Sequence, residues 1–260
     1  MMANMITVLG VNGTKGLNGG TSAFKIDAQN VIDAGNLLVP LKEESAAITT
    51  IWLTHSHLDH ILDIAYILDS YLSERKETLT LRGLPETLSA IKEHFLNDII
   101  WPDFSKIVIR DGKKKAIKYE PIEFGKSYSL NEYQTIEAFE TVHTVPSCGY
   151  KVSNNESEVY ITADTSDLTV LTNLLQQSTK KVSLVVECSF PNELAELAQE
   201  SKHYTPSALF ESLRVLEESD IALYINHIKP LYQDKIESEI SQEKGLWKVE
   251  ILKEGTNIHF

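Results

Sequence analysis

Cysteine is nearly missing from this chain, with only Cys148 and Cys188 among 260 residues. They form no CxxC pair, which excludes a disulfide framework and a thiolate metal site, and both thiols are expected to be reduced. Positive charge is also scarce. Lys and Arg number 24 against 37 Asp and Glu, giving a formal net charge of -13. Binding to a phosphate backbone needs a basic face, so no nucleic-acid partner is expected. The single basic run, Lys113-Lys114-Lys115, reads as a solvated turn. No apolar run reaches membrane length, and Met1 to Leu9 lacks the charged start and long apolar stretch of a secretory signal. A cytoplasmic protein without a membrane contact is the resulting expectation.

The chain is 42% hydrophobic and 23% charged, and it is long enough for one α/β domain with a sizeable core, so a single domain over 1–260 is expected. Short β patterns at 5–9, 21–27, 31–35 and 50–53 come first. Ile61, Ile64, Ala65 and Leu68 then recur at helical spacing. Leu88, Ile91, Phe95, Leu96 and Ile99 predict a second amphipathic helix over 85–100, closed by Trp101-Pro102, within a helical insertion at about 72–130. After Gln134, strands at 136–142, 149–152, 159–162, 182–186 and 221–225 alternate with helical segments near Leu171, Leu194 and Leu209. This order suggests two packed sheets with helices outside.

One hexapeptide stands apart. His55-Ser56-His57-Leu58-Asp59-His60 places three imidazoles and a carboxylate directly after an apolar stretch and at the start of a helical pattern. His55 and His57 can aim at one ion, and Asp59 and His60 on the next turn at a neighbouring one. Two metals close together are the implied chemistry. Such a pair repels itself by about 16 kcal/mol at 4 Å and an effective dielectric near 20, so carboxylates must sit among the neutral rings. His143, Asp164 and His227 each follow a predicted strand, where sheets hand over to loops and ligands converge. Asp164 alone would equally suit a helix cap.

Taken together, these residues resemble the metallo-β-lactamase superfamily, and the match runs through nearly the whole chain. The resemblance implies a four-layered αβ/βα sandwich. It implies one metal held by His55, His57 and His143, a second held by Asp59, His60 and His227, and Asp164 bridging them. The runs His94-Phe95-Leu96-Asn97, Glu187-Cys188-Ser189-Phe190-Pro191-Asn192-Glu193-Leu194, Ser201-Lys202-His203-Tyr204-Thr205-Pro206 and His227-Ile228-Lys229-Pro230 are similar to class II cyclic nucleotide phosphodiesterases. Asp63 departs from that family, which usually has a small residue there.

The resemblance carries further expectations. Two divalent ions would be the cofactors, zinc first, with manganese or iron as alternatives. The substrate would be a 3′,5′-cyclic nucleotide, cyclic AMP or cyclic GMP, opened to the 5′-monophosphate by a metal-activated water. Asp59, His203 and Glu187 would be the catalytic set, with His203 protonating the departing 3′ oxygen and Glu187 orienting and charging its ring. Asp33 and Asp63 are read either as acceptors for a ligand ring N–H or as a turn residue and a helix acid. Thr165 and Ser166 are candidate donors to phosphate oxygens. Trp101, Phe104, Tyr128 and Tyr204 are the aromatic side chains available to a base, with core packing as the alternative for each. A homodimer is expected from the family. The rival readings are a tRNA 3′-processing nuclease on the same scaffold, a thioester hydrolase, and a cyclic-nucleotide- or metal-binding module without activity.

Overall fold

Alternation along Met5–Gly10 puts Ile6 and Val8 on one face, and that face is covered by a second sheet. The computed structural model describes residues 5–16, 18–110, 112–217 and 219–260. The first half of the chain supplies strands β1 (Met5–Gly10), β2 (Ala23–Lys25), β3 (Asn30–Ile32), β4 (Thr50–Trp52), β5 (Leu79–Gly83) and β6 (Ile117–Pro121), with helices α1 (Leu38–Leu41), α2 (Leu58–Tyr71) and α3 (Pro85–His94). The second half supplies β7 (Ser127–Ser129), β8 (Thr135–Glu140), β9 (Cys148–Ser153), β10 (Ser157–Ile161), β11 (Lys181–Glu187), β12 (Ile221–Asn226) and β13 (Val249–Ile251). Its helices are α4 (Thr169–Gln177), α5 (Ala195–Glu200), α6 (Pro206–Leu213) and α7 (Gln233–Glu243). The last strand, β14 (Asn257–His259), returns to pair antiparallel with β1.

Two mixed sheets result, ordered β14-β1-β2-β3-β4-β5-β6 and β13-β12-β11-β10-β9-β8-β7. Phe24, Ile32 and Trp52 of the first meet Ile136, Tyr150, Val159 and Val185 of the second in a central core. On its other face the first sheet buries Ile51, Leu79 and Leu81 under Ile64 and Leu68 of α2 and Ile91 of α3. The second sheet buries Leu184, Val186 and Leu223 under Leu171 of α4, Leu209 of α6 and Ile236 of α7. Strands covered on both faces are mostly apolar, as in Val182 to Val186, where Ser183 is the one polar residue. The order helix, sheet, sheet, helix is the four-layered αβ/βα sandwich expected from the sequence.

The stretch 72–130 differs from the helical insertion read there. Among its described residues it holds one α-helix, α3, and the strands β5, β6 and β7. Thr80, Leu81 and Arg82 pair in parallel with β4 and extend the first sheet, with Leu79 and Leu81 buried. The helix predicted over 85–100 stops at His94. Asn97 takes over the backbone there: its Oδ1 accepts the N–H groups of Ile99 and Ile100, and its Nδ2 donates to the Glu93 carbonyl. Ile99, counted into the helical stripe, is 85% exposed.

Strands β10, β11 and β12 run parallel, so their C-terminal ends share one edge of the sheet. Asp164 follows β10, Glu187 ends β11 and His227 follows β12. Topology therefore brings three residues far apart in sequence to one place.

Candidate metal centre

Five residues separate the end of β4 at Trp52 from the start of α2 at Leu58, and the hexapeptide runs from that connection into the first turn of the helix. His57 is the extended N-cap of α2, and Asp59 and His60 lie in its first turn, where a carboxylate suits the helix dipole. Ligand atoms of His55, His57, His143 and Asp164 all lie within 4.8 Å of one another, and so do those of Asp59, His60 and His227. Asp164 joins the two groups through different oxygens. Its Oδ2 lies 3.6 Å from His55 Nε2 and 3.7 Å from His143 Nε2, while Oδ1 lies 3.4 Å from His60 Nε2 and 3.1 Å from His227 Nε2. Asp59 Oδ2 approaches His227 Nε2 at 3.4 Å. All seven residues singled out in the sequence thus converge.

The outward nitrogens of these rings are already engaged. His60 Nδ1 donates to Asp33 Oδ2 at 2.7 Å, and Asp33 also accepts the Thr54 N–H and hydroxyl. His143 Nδ1 donates to the Lys202 carbonyl at 3.2 Å. Ser189 Oγ gives its proton to Glu187 Oε2 and accepts from His227 Nδ1 at 3.0 Å. Carbonyl and carboxylate oxygens only accept, so His60, His143 and His227 carry a proton on Nδ1 and turn a lone pair on Nε2 toward the cluster, whereas His57 turns its Nδ1 inward, 3.2 Å from His143 Nε2. His55 Nε2 and Asp164 Oδ1 are buried and have no donor. Such a set of acceptors fits a divalent cation of borderline nitrogen and oxygen preference.

Electrostatics agree with that fit. Burial and the neighbouring rings hold His55 well below its ordinary value, and burial brings His143 down to about 4, so both rings are neutral. Burial opposes the charge on Asp164, but the facing rings of His227 and His60 hold it well below the usual carboxylate range. His60 moves the other way. Burial works against its protonation, yet Asp164 and Asp33 raise it well above the ordinary value, so negative potential at this ring is strong enough to hold a positive charge.

Beside the seven lies a second pair. Glu187 is buried at the end of β11, and its Oε1 accepts from His203 Nδ1 at 2.7 Å. The same carboxylate takes the Thr165 N–H at 3.2 Å and the Tyr204 N–H at 3.4 Å. His203 stacks on His227 with ring centroids 5.6 Å apart and meets His143 at 4.9 Å. Burial lowers the pKa of His203, but Glu187 and Asp164 together outweigh it and the net shift is upward. The positive form of this imidazole is thereby favoured at the edge of the cluster.

Other expected contributors do different work. Asp63 touches no ligand ring; its Oδ2 accepts the Leu37 and Leu38 N–H groups and caps α1. Thr165 is buried, with its hydroxyl donating to the Asp167 carbonyl and accepting the Val142 N–H, which leaves no donor for phosphate. Ser166 Oγ reaches the Val142 carbonyl. Phe104 and Tyr204 are core residues, Tyr128 packs on Trp52, and Trp101 packs on Tyr66. Thr54, Ser189 and Lys202, for which the sequence alone assigns no role, join Asp33 in fixing ring orientation.

Comparison with known proteins narrows the identity of this fold. The family model described as cAMP phosphodiesterases class-II matches residues 23–239. The chain belongs to that family. Over 92 residues it is 32% identical to 3′,5′-cyclic-nucleotide phosphodiesterase 1 of Saccharomyces cerevisiae, a match covering 35% of this chain and 25% of that protein. The chain thus spans a quarter of that curated relative's length. The crystal structure of unliganded yeast PDE1 superposes with a TM-score of 0.81 at 19% identity, over 100% of both chains. The metallo-β-lactamase fold protein YhfI of Bacillus subtilis gives 0.74 at 20% identity over 98% of each chain, and the short form of human tRNase Z gives 0.66 at 19% over 98% of each. The class-II family fold is therefore the metallo-β-lactamase fold. No helix among the described residues is long and apolar enough to cross a membrane.

Proposed function

We propose that this chain is a dinuclear-metal phosphodiesterase that hydrolyses a 3′,5′-cyclic nucleotide to its 5′-monophosphate. The observation that carries this reading is Asp164, whose two oxygens address two separate groups of rings, with the His203–Glu187 pair at their edge. His55, His57, His143 and Asp164 Oδ2 would hold one divalent ion, zinc in the first instance. Asp59, His60, His227 and Asp164 Oδ1 would hold the other. Ions so placed polarise a phosphoryl oxygen and make water a nucleophile near neutral pH.

The chain's own residues account for the rest. Asp33, the Lys202 carbonyl and Ser189 keep the ligand rings in one tautomer and orientation. His203 carries a proton on the nitrogen facing away from Glu187 and delivers it to the departing 3′ oxygen, which would otherwise leave as an alkoxide. Glu187 keeps the Nδ1 proton, so the proton given up is the one on Nε2. The net charge of -13 suits a substrate with one phosphodiester better than a polynucleotide.

Incubation of the purified chain with zinc or manganese and cyclic AMP or cyclic GMP tests the proposal. Formation of the 5′-monophosphate is the expected result. Intact cyclic nucleotides alongside cleavage of a precursor tRNA or a thioester would overturn it.

A further inference from the structure

His143 serves two places at once. Its Nε2 belongs to the ring cluster, and the residue also lines a groove of about 630 Å³ that opens beside it. That volume lies in the range of small-molecule sites, roughly 300–1,000 Å³. One wall is the 141–147 loop, with Val142 and Pro146; the other is the start of α3 at Pro85 together with Ile122 and Phe124. Phe124 is 47% exposed and Val142 is 40% exposed, so the groove presents apolar surface to water next to a polar centre. Phe124 is a member of none of the three packed cores.

The charged groups of the groove are unevenly placed. Lys202 stands with His143, its Nζ donating to the His143 carbonyl at 2.9 Å. The remaining charged side chains are three carboxylates, Glu86, Glu123 and Glu140, of which Glu123 pairs with Lys126 at 2.6 Å. A ligand with its phosphate at the cluster and its bulk in the groove would meet one cation near the phosphate, an aromatic face, and acceptors beyond. Nucleobases offer a π-face and N–H donors.

We propose that this groove holds the nucleoside of the substrate, with the base stacked on Phe124 and its N–H edge turned to the carboxylates. The carboxylates also turn away any strand whose further phosphates would run along the groove. This deepens the function proposed above and rests on it.

Steady-state kinetics of the metal-loaded full chain test the assignment with cyclic AMP, cyclic GMP and an abasic ribose 3′,5′-cyclic phosphate. Phe124→Ala is expected to raise KM for both cyclic nucleotides by roughly 5- to 150-fold, the loss of one base–aromatic stack. Its kcat stays near the parent value and its KM for the abasic ester does not move, which also shows that the variant is folded. Phe124→Tyr restores the parent KM. An unchanged KM for cyclic nucleotides in Phe124→Ala, with the parent chain active, overturns the groove assignment and leaves the function standing. A parent chain that turns over no cyclic nucleotide overturns both.

Discussion

Lys202 and His143 hold each other through two hydrogen bonds that run in opposite directions. His143 Nδ1 donates to the Lys202 carbonyl at 3.2 Å, and Lys202 Nζ donates to the His143 carbonyl at 2.9 Å. Lys202 adopts a left-handed backbone with φ 54, a conformation that costs a non-glycine residue of order 1 kcal/mol or more. The clasp ties the loop after β8 to the loop that carries His203. A ring of the cluster and the proposed proton donor are thereby fixed relative to each other.

Lys202→Met removes one half of the clasp and keeps the carbonyl. Groups that orient a ligand ring are typically worth about 10- to 100-fold in metal affinity, and the lower end is expected here because one bond survives. Competition against a zinc-sensitive dye measures it. Lys202→Arg, which can still reach the His143 carbonyl, should bind zinc like the parent. Equal affinity in the Met variant would remove Lys202 from the positioning shell.

Asp33 gathers three donors in a buried place: the Thr54 N–H, the Thr54 hydroxyl and His60 Nδ1. Asp33→Ala leaves all three unpaired. A buried donor stripped of its partner costs about 1–3 kcal/mol, so a loss of about 3 kcal/mol or more in urea unfolding is expected, together with weaker zinc binding. Asp33→Asn keeps an acceptor oxygen and should fall between the parent and the Ala variant. A stability unchanged by Asp33→Ala would mean that the Thr54–His60 corner rearranges at no cost.

The sequence made some of this site legible and hid the rest for physical reasons. His55, His57, Asp59 and His60 act from one strand-to-helix turn, so spacing alone reveals them. His143, Asp164 and His227 are legible only as polar residues after strands, because the parallel order of β10, β11 and β12 brings them together. Ser189 and Thr54 carry no local signal. Their roles exist only through contacts with Glu187, His227 and Asp33, from loops made neighbours by the sheets. Asp63 misled in the opposite sense: it lies three residues after a ligand on the same helix, yet its carboxylate meets two free N–H groups at the start of α1. The strands β5 and β6 escaped notice because the pairing of β5 with β4 and of β6 with β5 joins segments far apart in the chain.

His203→Ala separates proton donation from metal binding. The ring contacts His143 and His227 but forms no hydrogen bond with either of them, so zinc content by mass spectrometry should match the parent. Turnover should fall by roughly 10²- to 10⁴-fold, the usual contribution of a positioned acid. Full turnover with both metals in place would remove His203 from the reaction.

The pH dependence of turnover distinguishes Glu187 as the group that charges His203 from Glu187 as a packing residue. A proton donor works only while protonated, so activity falls as pH rises through the pKa of His203. Burial lowers that pKa and Glu187 raises it, with a net shift above the ordinary 6.5, so the upper limb of the parent profile should lie above 6.5. Glu187→Gln removes the larger raising influence and leaves Asp164 alone against burial and nearby Lys229, which moves the limb to more acid pH. Turnover should then suffer most on the alkaline side of the parent limb and least at acid pH, where the ring is protonated in both proteins. The pair's contribution to folding follows the same sign: it is present below the unfolded-state value and is lost as pH rises through the raised folded-state value. A Glu187→Gln profile scaled down equally at every pH would assign Glu187 to architecture alone.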